Sequence, residues 1–146
     1  QILFKIIDYY QQIPEMVGMF QKEVAERTAA VPRTKDYGIL SVLVQAYYDV
    51  KYLFTVHENV FNPPPKVKSG VIKMTRNRKE GLEGNEILFK QIVKTGFNQR
   101  RKKLSNALKP LNIPESLKNH AFMDKRAEEL SVEDFINFTI EWKTAN

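Results

Sequence analysis

Apolar residues recur along this chain with two periods, one giving way to the other near residue 80. Leu3, Ile6, Ile7 and Tyr10 stand at helical spacing, which predicts the end of an amphipathic helix over residues 2–10. After Pro14, Met16 to Gln21 reads as a short buried strand. Lys22 to Arg27 opens a helix that must end before Pro32. Tyr37 to Ala46 predicts another, apolar at Ile39, Leu40, Leu43 and Val44. Val50, Tyr52, Phe54 and Val56 then alternate with Lys51, Thr55 and His57, which is the period of a strand.

Pro63, Pro64 and Pro65 rule out helix or central strand from Phe61 to Val67, because they remove amide donors and fix φ. Val71 to Thr75 predicts one more strand, paired antiparallel with the strand before the loop. Asn77 to Asn85, charged and containing Gly81 and Gly84, reads as a linker. Every periodic segment beyond it is helical: Leu88, Ile92 and Val93, then Leu104, Ala107 and Leu108, then Val132, Phe135, Ile136, Thr139 and Trp142. Ser131 followed by Asp134 resembles the cap of the last helix. The expected class is α/β: half of an α/β sheet followed by a small all-helical annex over residues 84–146.

Charge changes the picture more than composition does. Residues 61–110 hold 13 Lys and Arg against 3 Glu, a local +10 within a net +6. Such a basic middle third is the footprint of a partner that is a polyanion, nucleic acid before others, a solvated lysine-rich surface being the alternative. The chain has no cysteine, so disulfides and thiolate zinc sites are excluded. No apolar run approaches the roughly 18 residues of a membrane span. These features point to a soluble cytoplasmic protein with no membrane partner. Gln1 enters an apolar segment without a capping residue, which reads as the interior of a longer chain.

Candidate chemistry is sparse. His57 and His120 have no partner at metal-ligand spacing, so no metal is expected and both read as ordinary surface residues. The six glycines never form Gly-x-Gly, so no phosphate-cradling turn is present and S-adenosylmethionine should not be held by this chain alone. Two segments stand out. A proline-stiffened loop presents Phe61 either as a rigid stacking platform for a base or as a core anchor beneath a turn. Arg100, Arg101, Lys102 and Lys103 are four cations expected at the start of a helix, with at least two facing outward toward phosphates, and Asn98 and Gln99 before them add donors for the helix terminus or a phosphate. A solvated basic turn is the alternative there.

Four segments in order resemble the rRNA adenine dimethyltransferase family: Gln21 to Arg27, Tyr37 to Gln45, Phe61-x-Pro-Pro-Pro-Lys-Val-x-Ser69, and Phe97-Asn-Gln-Arg-Arg-Lys102. Within it the likeness is to the bacterial KsgA branch. It is specific to about Leu108 and loose beyond. The resemblance implies a Rossmann-like methyltransferase sheet whose C-terminal half is residues 1–78, and a helical RNA-binding domain over 79–146. It implies transfer of methyl groups from S-adenosylmethionine to the exocyclic amines of two adjacent adenines in small-subunit rRNA, on the immature small ribosomal subunit. The donor loop and the catalytic Asn-Leu-Pro-Tyr type motif would lie upstream of Gln1, leaving this polypeptide alone inactive.

By the same resemblance Phe61 is the aromatic that packs on the target adenine, and Lys22, Arg27, Lys66 and the Arg100–Lys103 cluster contact the RNA backbone. Lys68 replaces an acidic residue common two positions after the loop lysine, which argues against a carboxylate role there. Related large-subunit rRNA methyltransferases, or a non-catalytic rRNA-binding module for ribosome assembly, are the alternatives.

Overall fold

The computed structural model describes residues 2–145, so the expectation about Gln1 lies outside the described residues. The chain opens with α1 (Ile2–Asp8), β1 (Glu15–Gln21), α2 (Lys22–Ala29), α3 (Ile39–Gln45), β2 (Tyr48–Val56) and β3 (Ser69–Arg76). α4 (Glu86–Asn98), α5 (Leu104–Ala107) and α6 (Val132–Ala145) follow, with short 3-10 turns between α5 and α6. The change of period near residue 80 is thus the change from a sheet to helices alone.

β3 lies between β1 and β2 and is antiparallel to both. β1 and β2 therefore run parallel to each other, joined by a crossover through α2 and α3. The expected antiparallel pairing of β2 and β3 is present, with Tyr48 opposite Arg76 and Val56 opposite Ser69. β1 departs from expectation. Among the described residues it is paired on one side only, with β3, and its residues alternate between exposed and half-buried rather than being buried throughout. A strand half-buried in this way needs only alternate residues apolar.

Close contact between α2 and β3 fixes the covered face. A Cβ at Gly70 would lie 2.7 Å from the Ala25 Cβ and 2.9 Å from the Tyr52 ring, so only glycine allows this approach. Ala25 and Thr28 of α2, and Ile72 and Met74 of β3, are buried there. The Gln45 amide donates to the Thr28 carbonyl at 2.9 Å and the Ala30 carbonyl at 2.8 Å, satisfying acceptors that the end of α2 leaves open. α3 starts two residues later than predicted, since the Gly38 amide donates to Ser41 Oγ at 3.1 Å and leaves Tyr37 before the helix.

One hydrophobic cluster runs from Leu3 through the sheet to Trp142. Residues 77–85 are folded against it: Leu82 is buried, Arg78 pairs with Glu133 at 2.7 Å, and Lys143 donates to the Gly84 carbonyl at 2.8 Å. Gly81 adopts φ 68° within this connection, a left-handed conformation that glycine takes without strain. The cap of α6 is as predicted, with Ser131 Oγ accepting from the Asp134 amide and Asp134 accepting from the Ser131 amide, both at 3.0 Å.

Candidate RNA-binding site

The carboxyl ends of β1 and β2 flank the start of β3, with Gln21 and Val56 both opposite Ser69, and the Phe61 loop leaves β2 and returns into β3 there. In open α/β sheets, ligands bind outside the carboxyl ends of the parallel strands, so the loop stands where a substrate is expected. Phe61 is half-buried and lines a concave surface of about 460 Å³ with Met19, Ser69 and the three prolines. Its ring is therefore neither fully sunk in the core nor free in solvent. Pro64, Pro65, Lys66 and Val67 are exposed, and the Lys22 amide donates to the Lys68 carbonyl at 2.9 Å, tying the end of the loop to the start of α2.

The predicted basic residues fall into three groups. Lys22 and Lys66 belong to the rim around Phe61; Lys22 has Glu26 at 3.8 Å, and Lys66 makes no ion pair among the described residues. Arg27 is further along α2, paired with Glu23 at 2.7 Å, and lines a groove of about 490 Å³ together with Lys35 and Arg100. The third group follows α4. Asn98 is its last residue and Gln99 its cap, both exposed, and the Lys102 amide donates to the Gln99 carbonyl at 2.9 Å.

Here the expectation of four cations spread around the start of a helix is corrected. Arg100 to Lys103 form the turn between α4 and α5, and α5 itself has only 4 residues. Lys103 is extended and bridged antiparallel to Arg126, with the Leu104 amide donating to the Lys125 carbonyl at 2.8 Å, so the helix begins only at Leu104. Arg101 and Lys102 are exposed and make no ion pair among the described residues, whereas Lys103 has Asp124 at 3.9 Å.

Arg100 is placed differently from its neighbours. Its guanidinium donates to the carbonyls of Tyr37 at 2.6 Å, Thr34 at 3.1 Å and Lys35 at 3.2 Å. Glu128 is 3.6 Å away, and the Phe97 ring lies 5.8 Å beneath. Arg33 completes the junction: its amide donates to the Glu128 carbonyl at 2.9 Å, and its side chain reaches Glu129 at 3.6 Å. Buried Tyr37 donates to the Leu130 carbonyl at 2.8 Å, and burial, with Asp134 nearby, pushes its phenol well above the usual range. The Arg100–Tyr37 and Tyr37–Leu130 bonds could not be inferred locally, because their partners lie 63 and 93 positions apart in sequence.

His57 is exposed, whereas His120, expected at the surface, is half-buried, its ring 4.7 Å from Phe122 and 5.1 Å from buried Phe138. His57 Nδ1 accepts from the Asn59 amide at 3.2 Å; His120 Nδ1 accepts from the Phe122 amide at 3.1 Å, and its Nε2 is 3.0 Å from Glu141. Among the described residues no three His, Asp or Glu side chains converge as a metal site. The turn from β1 into α2 passes from Gln21 to Lys22 without a glycine, so the residues present do not fit the pyrophosphate- or methionine-cradling turn of a donor site. No helix among the described residues is long and apolar enough to cross a membrane.

This geometry coincides with a family match. A model described as ribosomal RNA adenine dimethylase matches residues 1–144. The chain belongs to the ribosomal RNA adenine dimethylase family. The match continues well past Leu108, so the helical segment is part of the family pattern although it carries no short motif.

Among members of this family, the chain is 58% identical to the ribosomal RNA small subunit methyltransferase A of Cytophaga hutchinsonii, over 95% of this chain and 54% of that protein. It is 59% identical to that of Parabacteroides distasonis, over 96% of this chain and 53% of that protein. The chain spans about half the length of the curated relatives it matches. A dimethyladenosine transferase from Plasmodium falciparum superposes with a TM-score of 0.87 at 25% identity, covering 99% of this chain and 62% of that one. The 23S rRNA methyltransferase ErmE shares the fold, with a TM-score of 0.60 at 20% identity over 97% of this chain and 61% of its own. The expected α/β class, a methyltransferase sheet followed by helices, is therefore present.

Proposed function

We propose that this chain is the RNA-facing portion of a small-subunit rRNA adenine N6-dimethyltransferase acting in ribosome biogenesis. The carrying observation is the identity of 58–59% to small subunit methyltransferases A over nearly the whole chain. The position of Phe61 at the carboxyl edge of the parallel strands supports it. That identity favours small-subunit rRNA over the large-subunit alternative.

In this reading residues 1–78 complete the catalytic domain and residues 79–146 are a helical RNA-binding domain. S-adenosylmethionine is bound by residues of the intact protein outside this chain, and supplies the methyl group. Phe61 stacks on an unpaired adenine and restricts the orientations of its exocyclic amine, without itself transferring a proton. Asn98, Gln99, Arg101, Lys102 and Lys103 meet the sugar-phosphate backbone, while Lys22, Arg27 and Lys66 add positive charge nearer the base. Arg100 acts as a positioning residue that holds the basic turn against the 34–37 loop. The partner is rRNA of the immature small subunit, and the compartment is the cytoplasm.

The test is methyl transfer from labelled S-adenosylmethionine by the intact protein, offered undermethylated small subunits, with large-subunit RNA as control. Dimethyladenosine in small-subunit rRNA is the expected product. Label in large-subunit RNA would reassign the branch. RNA binding without transfer to either would leave a ribosome-assembly module.

A further inference from the structure

The helical annex divides its charge unevenly along the chain. Residues 100–126 hold 8 Lys and Arg against 2 acidic residues, whereas residues 127–146 hold 5 acidic residues against Lys143 alone. The basic stretch folds as the turn after α4, α5 and most of the 3-10 turns, and the acidic stretch is dominated by α6. Charge of one sign gathered in one set of elements draws a polyanion to them.

Within the basic stretch lies a cavity of about 540 Å³, lined by Ser105, Lys109, Asn112, Ile113, Lys118 and Met123. None of this lining belongs to the sheet or to the helices that cover it; α5 packs on α4 and on the 3-10 turns beside it. The floor is apolar, with Met123 buried in the core and Ile113 half-buried against it. The rim is polar. Ser105 Oγ and the side-chain amide of Asn112 make no hydrogen bond among the described residues, so both remain available to an occupant. Lys109 is exposed and makes no ion pair among the described residues, while Lys118 has Glu115 at 2.9 Å. Asn112 stands at φ 58°, its backbone amide donating to the Lys109 carbonyl at 3.1 Å. Asparagine enters this left-handed region more readily than most side chains do.

These groups sort as the parts of a nucleotide do. An apolar floor suits the face of a base, free donors and acceptors suit its polar edge, and ammonium groups suit a phosphate. The cavity also adjoins the basic turn, Ser105 following Lys103 by two residues, with exposed Arg101 and Lys102 just before. A strand whose phosphates follow that turn is carried toward the cavity. RNA presents unstacked bases in bulges and loops, where a protein pocket can take them.

We propose that this cavity receives an unpaired nucleotide extruded from the RNA, distinct from the adenine at Phe61. Its base lies on Met123 and Ile113, Ser105 and Asn112 meet its polar edge, and Lys109 and Lys118 meet its phosphate. This rests on the proposed function for the ligand being RNA. The test compares two RNA duplexes, identical except for one bulged adenosine, in their binding to the intact protein. The bulged RNA should bind about tenfold more tightly, as expected for one base stacked on protein. Ser105→Trp fills the cavity from a half-buried rim position, and Asn112→Gly removes the amide while keeping the left-handed turn unstrained. Both should retain binding of the paired RNA; Ser105→Trp should abolish the preference for the bulge and Asn112→Gly should reduce it. Lys109→Ala should flatten the salt dependence for the bulged RNA alone by about 0.7. A preference unchanged in both Ser105→Trp and Asn112→Gly, or absent from the unaltered protein while methylation proceeds, would overturn the inference and leave the proposed function standing. No binding of either RNA, with no methylation, would remove both. Micromolar binding of adenosine monophosphate without any preference for the bulge would assign the cavity to a free nucleotide and overturn its place in the RNA interface.

Discussion

The guanidinium of Arg100 donates to the Tyr37 carbonyl at 2.6 Å, joining the turn after α4 to the loop before α3 across 63 positions of sequence. Thr34 and Lys35 add two further carbonyls to the same side chain. A planar fork reaching three acceptors cannot be replaced by the single ammonium of lysine. Arg100→Ala, and to a lesser degree Arg100→Lys, should therefore destabilise the chain, by about 2 kcal/mol for the alanine variant. Urea unfolding of the variants against the unaltered chain measures this; a midpoint within error of the parent would deny Arg100 its positioning role.

Arg101 and Lys102 make the opposite prediction. Both are exposed in a turn and make no ion pair among the described residues, so neither holds the fold. Arg101→Ala with Lys102→Ala should leave the unfolding midpoint in place. The same change should weaken binding to every RNA and flatten the dependence of log K on log salt by about one for each phosphate left without its cation. The slope is read from titrations at several salt concentrations, and an unaltered slope would take this turn out of the interface.

The contrast between Arg100 and Arg101 shows where the legibility of the sequence stops. Hydrophobic period predicts every strand and each of the main helices within a few residues, because burial is decided by local spacing. The α6 cap is equally legible, Ser131 and Asp134 being three residues apart. Long-range pairing is not. Nothing about Arg100 itself distinguishes a side chain bound to three carbonyls from three neighbours left in solvent. The register shift between Tyr52 and Phe54 is hidden for a related reason: an alternating pattern persists in the sequence although the bulge at Leu53 breaks it in space. The Phe61 loop is visible in the sequence, but its neighbour Met19 comes from a strand some 40 positions earlier, brought close only by the sheet register.

Phe61 yields a prediction that separates base positioning from RNA affinity. Its ring is one hydrophobic contact beside many polar ones, most of which go to phosphates in comparable complexes. Phe61→Ala in the intact protein should lower the rate of adenine methylation by about tenfold or more, while RNA affinity shifts by only a few fold. Phe61→Tyr and Phe61→Trp retain a ring and should recover much of the rate. Single-turnover methylation alongside direct binding measures both quantities. Equal rates in Phe61→Ala and the parent would refute the stacking role.

Tyr47 sets an alkaline limit on stability. Burial, then Glu86 and further neighbours, push its phenol up to about 12 from an ordinary 10.0. Tyr37 is shifted in the same direction, again chiefly by burial. A phenol is neutral when protonated, so the folded state holds the proton more tightly than the unfolded chain does. The contribution is therefore fully present below pH 10 and is lost as pH rises from about 10 toward the folded value. For Tyr47 alone the loss is about 1 kcal/mol by pH 11. Urea midpoints should be level from pH 8 to 9 and fall above 10, and Tyr47→Phe, which cannot ionise, should fall less steeply over the same interval. Parallel pH profiles for the variant and the parent would show that Tyr47 ionises in the folded chain as readily as in the unfolded one.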